Sequence, residues 1–335
     1  MGDRAIRVEQ LRKVYPGRDA EVVAVDGLDL EVAEGECFGL LGPNGAGKTT
    51  TVEILEGLNS PTGGQVEVLG MRWESDETAL RERIGVTLQE TRIPEKATVR
   101  EMIDLFRSFY RKGLDPDEIL PKVALESKAN AYVETLSGGQ QRRLAVALAL
   151  VGDPELFFFD EPTTGLDPQA RRQLWDVILD LQRRGRTTVL TTHYMDEAEK
   201  LCNRVAIVDK GKVIALGSPA DLIHQLGGEQ LVEFSIVGEG PRPDPAEFAD
   251  LPMVQATRSE ADGYVLTVSA AHRTIPALLE RLESRELALE RLTTRQVSLE
   301  DVFVALTGRH LRDDEPAEPA EANGRGRRGR RARAS

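Results

Sequence analysis

Apolar residues gather into short runs separated by stretches of helical period from residue 6 to about residue 216, the clearest runs being 37–41, 84–88, 156–159, 187–191 and 205–208. Runs of that length, alternating with helical stretches, predict an α/β fold built on a mostly parallel sheet. Between the second and third runs, residues 99–110 and 119–123 keep helical periodicity and are interrupted by Pro116 and Pro121. They predict a helical subdomain inserted at about residues 90–152.

The pattern changes at Gly227-Gly228, after a helix expected over 220–226. Runs at 230–237, 253–258, 264–269 and 287–293 read as strands, and 245–251 and 274–285 as helices. The order βαββαβ predicts a small α+β, ferredoxin-like domain over 227–310, after a larger unit over 1–226. A last helix at 299–306 has Ser298 before it as a cap. From residue 311 to 335 the Pro/Ala/Glu and then Gly/Arg composition has little apolar surface to bury and predicts a disordered tail.

Composition narrows the class. A chain of 335 residues, 40% hydrophobic and 30% charged, has material for about two domains. No apolar run approaches the ~20 residues needed to cross a bilayer, and residues 1–7 lack the build of a secretory signal. The chain is therefore expected in the cytosol. Cys37 and Cys202 lack the spacing of a disulfide framework or a zinc site and read as buried thiols. The net charge of −13 argues against nucleic acid as a partner. Six arginines lie beyond Asn323, so the rest of the chain is six charges more acidic than that total. Such a tail could lie against anionic lipid or simply be solvated.

Three segments carry chemistry. Gly42-Pro43-Asn44-Gly45-Ala46-Gly47-Lys48-Thr49 fits G-x-x-x-x-G-K-[ST] between an apolar strand and a helical stretch opened by Thr50. Glycines free the backbone N–H groups to wrap phosphates, and the helix dipole favours the anion. In such a loop Lys48 reaches the β- and γ-phosphates and Thr49 holds Mg²⁺. The apolar run 156–159 ends in Asp160-Glu161, at the sheet edge where ligands collect. Asp160 suits Mg²⁺, and Glu161 suits a general base for water. Ser137-Gly138-Gly139-Gln140, at a helix start, combines hydroxyl, bare backbone and dipole into a second anion site.

Leu136-Ser137-Gly138-Gly139-Gln140 ahead of Asp160, in a chain with the Lys48 loop, resembles the ATP-binding-cassette (ABC) family over about residues 4–222. The resemblance implies further roles. Gln89 corresponds to the glutamine that touches Mg²⁺ and relays nucleotide state to a membrane subunit. Asp167 corresponds to the loop lining the other subunit's site, His193 to the switch histidine on the γ-phosphate, and Tyr15 to the aromatic that stacks on adenine. It also implies a head-to-tail dimer of two copies, with each ATP between Lys48, Asp160 and His193 of one and Ser137 and Gly139 of the other.

Within the family, a single cassette without a spanning helix fits the motor of a separate membrane permease, at the cytoplasmic face. A ribosome-directed ATPase is the alternative; such factors usually carry two cassettes, and the acidic body disfavours RNA. A chromosome or repair ATPase would need a long coiled coil between Lys48 and Ser137. Residues 298–303, Ser-Leu-Glu-Asp-Val-Phe, resemble the carboxyl end of drug-export ATPases of the daunorubicin-resistance type. Those pair with an ABC-2 class permease, which implies export of a drug-like, lipid or polysaccharide substrate and a link to antibiotic resistance.

Overall fold

A computed structural model of the chain describes residues 4–17, 20–87, 94, 96–226, 230–237, 243–260 and 263–308. Gln89, the 227–228 glycine pair and the tail from 311 lie outside the described residues.

The amino-terminal part runs β1 (Arg4–Tyr15), β2 (Val22–Ala33), β3 (Cys37–Leu41), α1 (Lys48–Leu55), β4 (Gly63–Val68), α2 (Trp73–Arg83) and β5 (Ile84–Thr87). The helical insertion follows with α3 (Val99–Arg107), α4 (Pro116–Ile119), three short 3-10 turns and α5 (Gly138–Leu150). The chain then returns to the sheet through β6 (Leu156–Asp160), α6 (Pro168–Arg183), β7 (Thr187–Thr192), α7 (Met195–Leu201), β8 (Arg204–Asp209), β9 (Lys212–Gly217) and α8 (Pro219–Gln225).

Six strands form the central sheet in the order β5-β6-β7-β3-β8-β9. The first five run parallel and β9 closes one edge antiparallel. A parallel sheet is covered on both faces, so its strands can be apolar throughout. β6 follows this rule: Phe157 and Phe159 pack into the cluster containing the helical insertion, while Leu156 and Phe158 enter the opposite cluster with Phe38, Leu40 and Val52. Fully burying a phenylalanine stabilises by about 1.5–3 kcal/mol.

β1, β2 and β4 do not extend that sheet. They form a separate antiparallel one, in the order β2-β1-β4. Residues 16–21 are too few for a crossover, so β1 and β2 pair as antiparallel neighbours. Ile6, Val8 and Leu11 face the same cluster as Phe158, which fixes this sheet over the central one.

Thr98 opens α3 with a reciprocal capping box to Glu101, and the helix stops at Arg107 rather than continuing to 110. Cys37 and Cys202 are both buried, free thiols.

The carboxy-terminal part comprises β10 (Gln230–Ile236), β11 (Val254–Glu260), β12 (Gly263–Val268), α9 (Ala271–Ser284), β13 (Leu289–Gln296) and α10 (Leu299–Thr307). Its sheet order is β11-β12-β10-β13, antiparallel at every pairing, so β10 and β11 run the same way on either side of β12. The helix expected at 245–251 is only a 3-10 turn, Pro245–Phe248, capped by Asp244. Pro252 disfavours helical backbone at Leu251, so the segment does not run helical to its expected end. α10 crosses back: Leu299, Val302 and Phe303 join the same apolar cluster as Leu201 and Leu222. The Leu299 N–H donates to Glu199 Oε1 at 2.9 Å, tying α10 to α7.

Candidate active site

The loop after β3 is shaped by its glycines. Gly47 has φ 101°, and a Cβ there would lie 2.4 Å from the Ala24 carbonyl oxygen, so no other residue fits without displacing backbone. Lys48 begins α1 directly behind it, and its ammonium donates to the carbonyls of Gly42 (2.7 Å) and Pro43 (3.0 Å). Burial pulls the Lys48 pKa down, against the opposing charges of Glu161 and Asp160. The Ala46 carbonyl accepts from the Gly211 N–H at 2.9 Å, which ties the loop to the β8–β9 turn.

Asp160 ends β6 facing Thr49, whose hydroxyl lies 3.5 Å from Asp160 Oδ1. Thr191 of β7 donates its hydroxyl to the same oxygen at 2.5 Å and accepts the Glu161 N–H at 2.9 Å. Burial raises the Asp160 pKa, and adjacent Glu161 adds to it, while Thr191, Lys48 and Arg142 oppose. A hydroxyl and a desolvated carboxylate converging in this way are hard oxygen donors, and the pair fits a small divalent cation such as Mg²⁺.

Glu161 is the first residue past β6, and its backbone lies in the left-handed region at φ 43°. For a non-glycine residue that conformation costs on the order of 1–3 kcal/mol and persists only where surrounding contacts impose it. Its Oε1 lies 3.2 Å from His193 Nδ1, and its Oε2 accepts from the Thr164 hydroxyl at 3.2 Å. The hydrogen bond to His193 depresses the Glu161 pKa; burial works the other way, and the charges of His193 and Lys48 add to the depression. Glu161 is therefore ionised at neutral pH.

Lys48, Thr49, Glu161 and His193 line one cavity of about 860 Å³, together with Asn44, Gly45, Thr50 and the exposed apolar pair Val22-Val23, while Asp160 lies behind Thr49 and is not on its walls. Its size is within the ~300–1,000 Å³ of small-molecule sites. A basic and phosphate-shaped floor facing an ionised carboxylate can hold a polyphosphate and activate a water against it.

Ser137 to Gln140 do not line this cavity. Ser137 caps α5: its Oγ accepts the Gln140 N–H at 3.3 Å, and Gln140 Oε1 accepts the Ser137 N–H at 3.0 Å. Gly138 follows at the first helical position, and a Cβ on Gly139 would meet Ala170 at 2.8 Å, so glycine lets α5 and α6 approach closely. Asp167 caps α6 by accepting from the N–H groups of Gln169 and Ala170. Tyr15 is outside the cavity lining as well; its hydroxyl accepts from Asn59 at 2.6 Å, while its cross-strand partner Val22 does line the cavity.

Sequence reading gave no role to Thr191, Thr164 or the Val22-Val23 wall, whose positions depend on strand order and hairpin register. Arg142 was also missed. Its guanidinium donates to the carbonyls of Asp160 (2.8 Å), Glu161 (2.9 Å) and Pro162 (2.8 Å).

Comparison with known proteins gives the family. Residues 25–164 match the family described as ABC transporter. The chain is 40% identical over 322 residues to the Nod factor export ATP-binding protein I of Paraburkholderia xenovorans (strain LB400), covering 93% of this chain and all of that one. It is 42% identical over 294 residues to the protein of the same name from Rhizobium sp. (strain N33), covering 86% and 93%. Among solved structures, a dimeric ATP-binding cassette in a post-hydrolysis state with ADP and Pi superposes with a TM-score of 0.58 at 28% identity, over 64% of this chain and 98% of that one. An ATP-binding subunit of an ABC transporter gives 0.59 at 26% identity, over 67% and 93%. The chain belongs to the ABC transporter ATP-binding subunits, P-loop cassettes that hydrolyse ATP to power transport.

Proposed function

We propose that this chain is the ATP-driven motor of an exporter, working as a head-to-tail dimer on a separate permease at the cytoplasmic face of the membrane. The observation that carries this reading is the separation of two phosphate-facing elements. Lys48, Thr49, Glu161 and His193 line one cavity, whereas the second anion site at Ser137 to Gln140 is absent from its walls. A second copy would supply Ser137 and Gly139 to complete the site, with Asp167 beside them. The dimeric neighbour bound to ADP and Pi supports this arrangement.

In each site Lys48 and the backbone of residues 42–49 would grip the β- and γ-phosphates. Thr49, Asp160 and Gln89 would hold Mg²⁺, which supplies charge neutralisation to the phosphates when bound. Glu161 would take a proton from the attacking water, and His193 would hold that carboxylate in place while facing the γ-phosphate. Val22 and Val23, with Tyr15 behind them, would receive the base. Closure on ATP and reopening after hydrolysis would move the permease.

Export is supported by the relatives, which are named for Nod factor export. The segment 298–303 supports an ABC-2 class permease, and the sheet order at the carboxy terminus supports a ferredoxin-like accessory domain over 227–310. The permease would seat on the cavity between α2, β5, α3 and α5, where Phe109 is 68% exposed and Leu58 54%. An exposed apolar patch of that kind on a transporter subunit supports a protein contact, and Gln89 follows the end of β5 by two residues in the chain.

Affinity purification of the full chain from detergent-solubilised membranes tests the partner. We expect a chain with several ~20-residue apolar spans to be retained, and Phe109→Asp to lose it. Retention of ribosomes without any such chain would overturn the reading in favour of a soluble ABC ATPase.

A further inference from the structure

The main chain that carries the two carboxylates of the site is bonded by one side chain on the helix that Ser137 caps. Arg142 sits in the second turn of α5. Its fork spans three successive carbonyls, those of Asp160, Glu161 and Pro162, at 2.8–2.9 Å. That segment contains the left-handed backbone of Glu161. Thr191 takes the Glu161 N–H at 2.9 Å, and Thr164 donates its N–H to the Glu161 carbonyl at 3.3 Å, but neither spans more than one of these carbonyls.

We propose that Arg142 is a positioning residue for Glu161, and that through it the Ser137 end of α5 is tied to the catalytic carboxylate of its own chain. Resting on the assignment of Glu161 as general base, this makes α5 a rigid link between two different nucleotides. Its amino terminus meets the partner's ATP, five residues before the guanidinium that fixes the base acting on the chain's own ATP. A fork with several donors in one plane can hold consecutive carbonyls, whereas a lysine offers a point charge on a flexible stem. Engagement of one site would then set the geometry of the other without passing through the permease.

The test is steady-state ATP hydrolysis by the full chain carrying Arg142→Gln, Arg142→Lys, Ser137→Ala or Glu161→Gln, with nucleotide affinity measured in parallel. We expect Arg142→Gln to lower kcat at least tenfold while KM for ATP and nucleotide affinity stay within about twofold, and Arg142→Lys to recover only part of the loss. The double variant Ser137→Ala/Arg142→Gln should be no slower than the slower single variant, because both act along one link. Unchanged kcat in Arg142→Gln, full recovery by lysine, or multiplicative losses in the double variant would overturn the proposal. Normal turnover in Glu161→Gln would instead remove the base assignment on which it rests. If Arg142→Gln does not fold, Arg142→Lys carries the same kcat-against-KM comparison.

Discussion

His193 Nδ1 stands 3.2 Å from Glu161 Oε1, and both residues line the cavity with Lys48. The contact couples two strand ends: His193 follows β7 and Glu161 follows β6, and the strands are parallel neighbours. The pair can do two jobs, orienting the carboxylate and keeping it ionised. Removing the ring should separate them. In His193→Ala we expect kcat to fall by about 10²–10⁴, with ATP affinity changed much less. Because the histidine bond is the largest influence lowering the Glu161 pKa and burial opposes it, the acid limb of kcat/KM should move upward in the variant. A pH–rate profile checks both, and an unmoved limb would show that the histidine does not set the ionisation of Glu161.

The Lys48 ammonium donates to two carbonyls of its own loop, those of Gly42 and Pro43, and to no other element among the described residues. Lys48→Ala should therefore leave the fold intact while weakening ATP binding by tenfold or more. Calorimetric titration with Mg-ATP checks this. Unchanged affinity would count against the loop as the phosphate site.

Asp301 anchors α10 within the carboxy-terminal part. Its carboxylate receives both guanidinium branches of Arg295 at 2.6 and 2.9 Å, Arg258 at 3.2 Å, and the N–H and hydroxyl of Ser298 at 3.0 Å. Burial alone would raise its pKa, but these partners outweigh it and hold the group at about 2. A folded value below the unfolded one means that the stabilisation is complete above about pH 4 and is lost as pH falls toward 2. Arg295 keeps 39% of its side chain in solvent, so Asp301→Asn should cost about 1–3 kcal/mol at neutral pH. Urea denaturation at pH 7 and at pH 3 should give a smaller difference between the two proteins at the lower pH.

Glu56, at the carboxyl end of α1, is 3% exposed, and its Oε1 has no hydrogen-bond partner. Burial, with Asp160 and Glu53 nearby, raises its pKa to about 8. The sign is opposite to that of Asp301: ionising Glu56 costs the folded state more than the unfolded one, so stability declines as pH rises from about 4.5 and levels off above 8. Glu56→Gln removes the charge and should melt higher than the parent by a margin that widens up to about pH 8 and then stays constant. Thermal denaturation across pH 5–9 checks it, and a margin independent of pH would contradict the assignment.

Local signals in the sequence were strong where backbone and chemistry coincide within a few residues. The Lys48 loop, the Asp160-Glu161 strand end and the Ser137 cap are each contiguous, and the parallel strands are marked by apolar runs such as 156–159. Contacts that depend on strand order left no such mark. Thr191 reaches Asp160 only because β6 and β7 are neighbours, and Arg142 reaches three carbonyls twenty residues or so downstream only because the fold brings α5 beside the end of β6. The separate amino-terminal sheet escaped notice because alternating runs predict strands but not which sheet receives them. The 245–251 helix is a single turn ending at Phe248, and Pro252 restricts Leu251 in a way that helical periodicity alone does not register.

The central claim is that the Lys48 cavity is half of a site completed by a second copy. Sedimentation of Glu161→Gln with and without Mg-ATP tests it most directly, since this variant should bind nucleotide yet hydrolyse it very slowly. The account predicts a monomer without nucleotide, a stable dimer with Mg-ATP, and loss of that dimer when Ser137→Ala/Gly139→Asp is added. A variant that saturates with ATP and stays monomeric would contradict it.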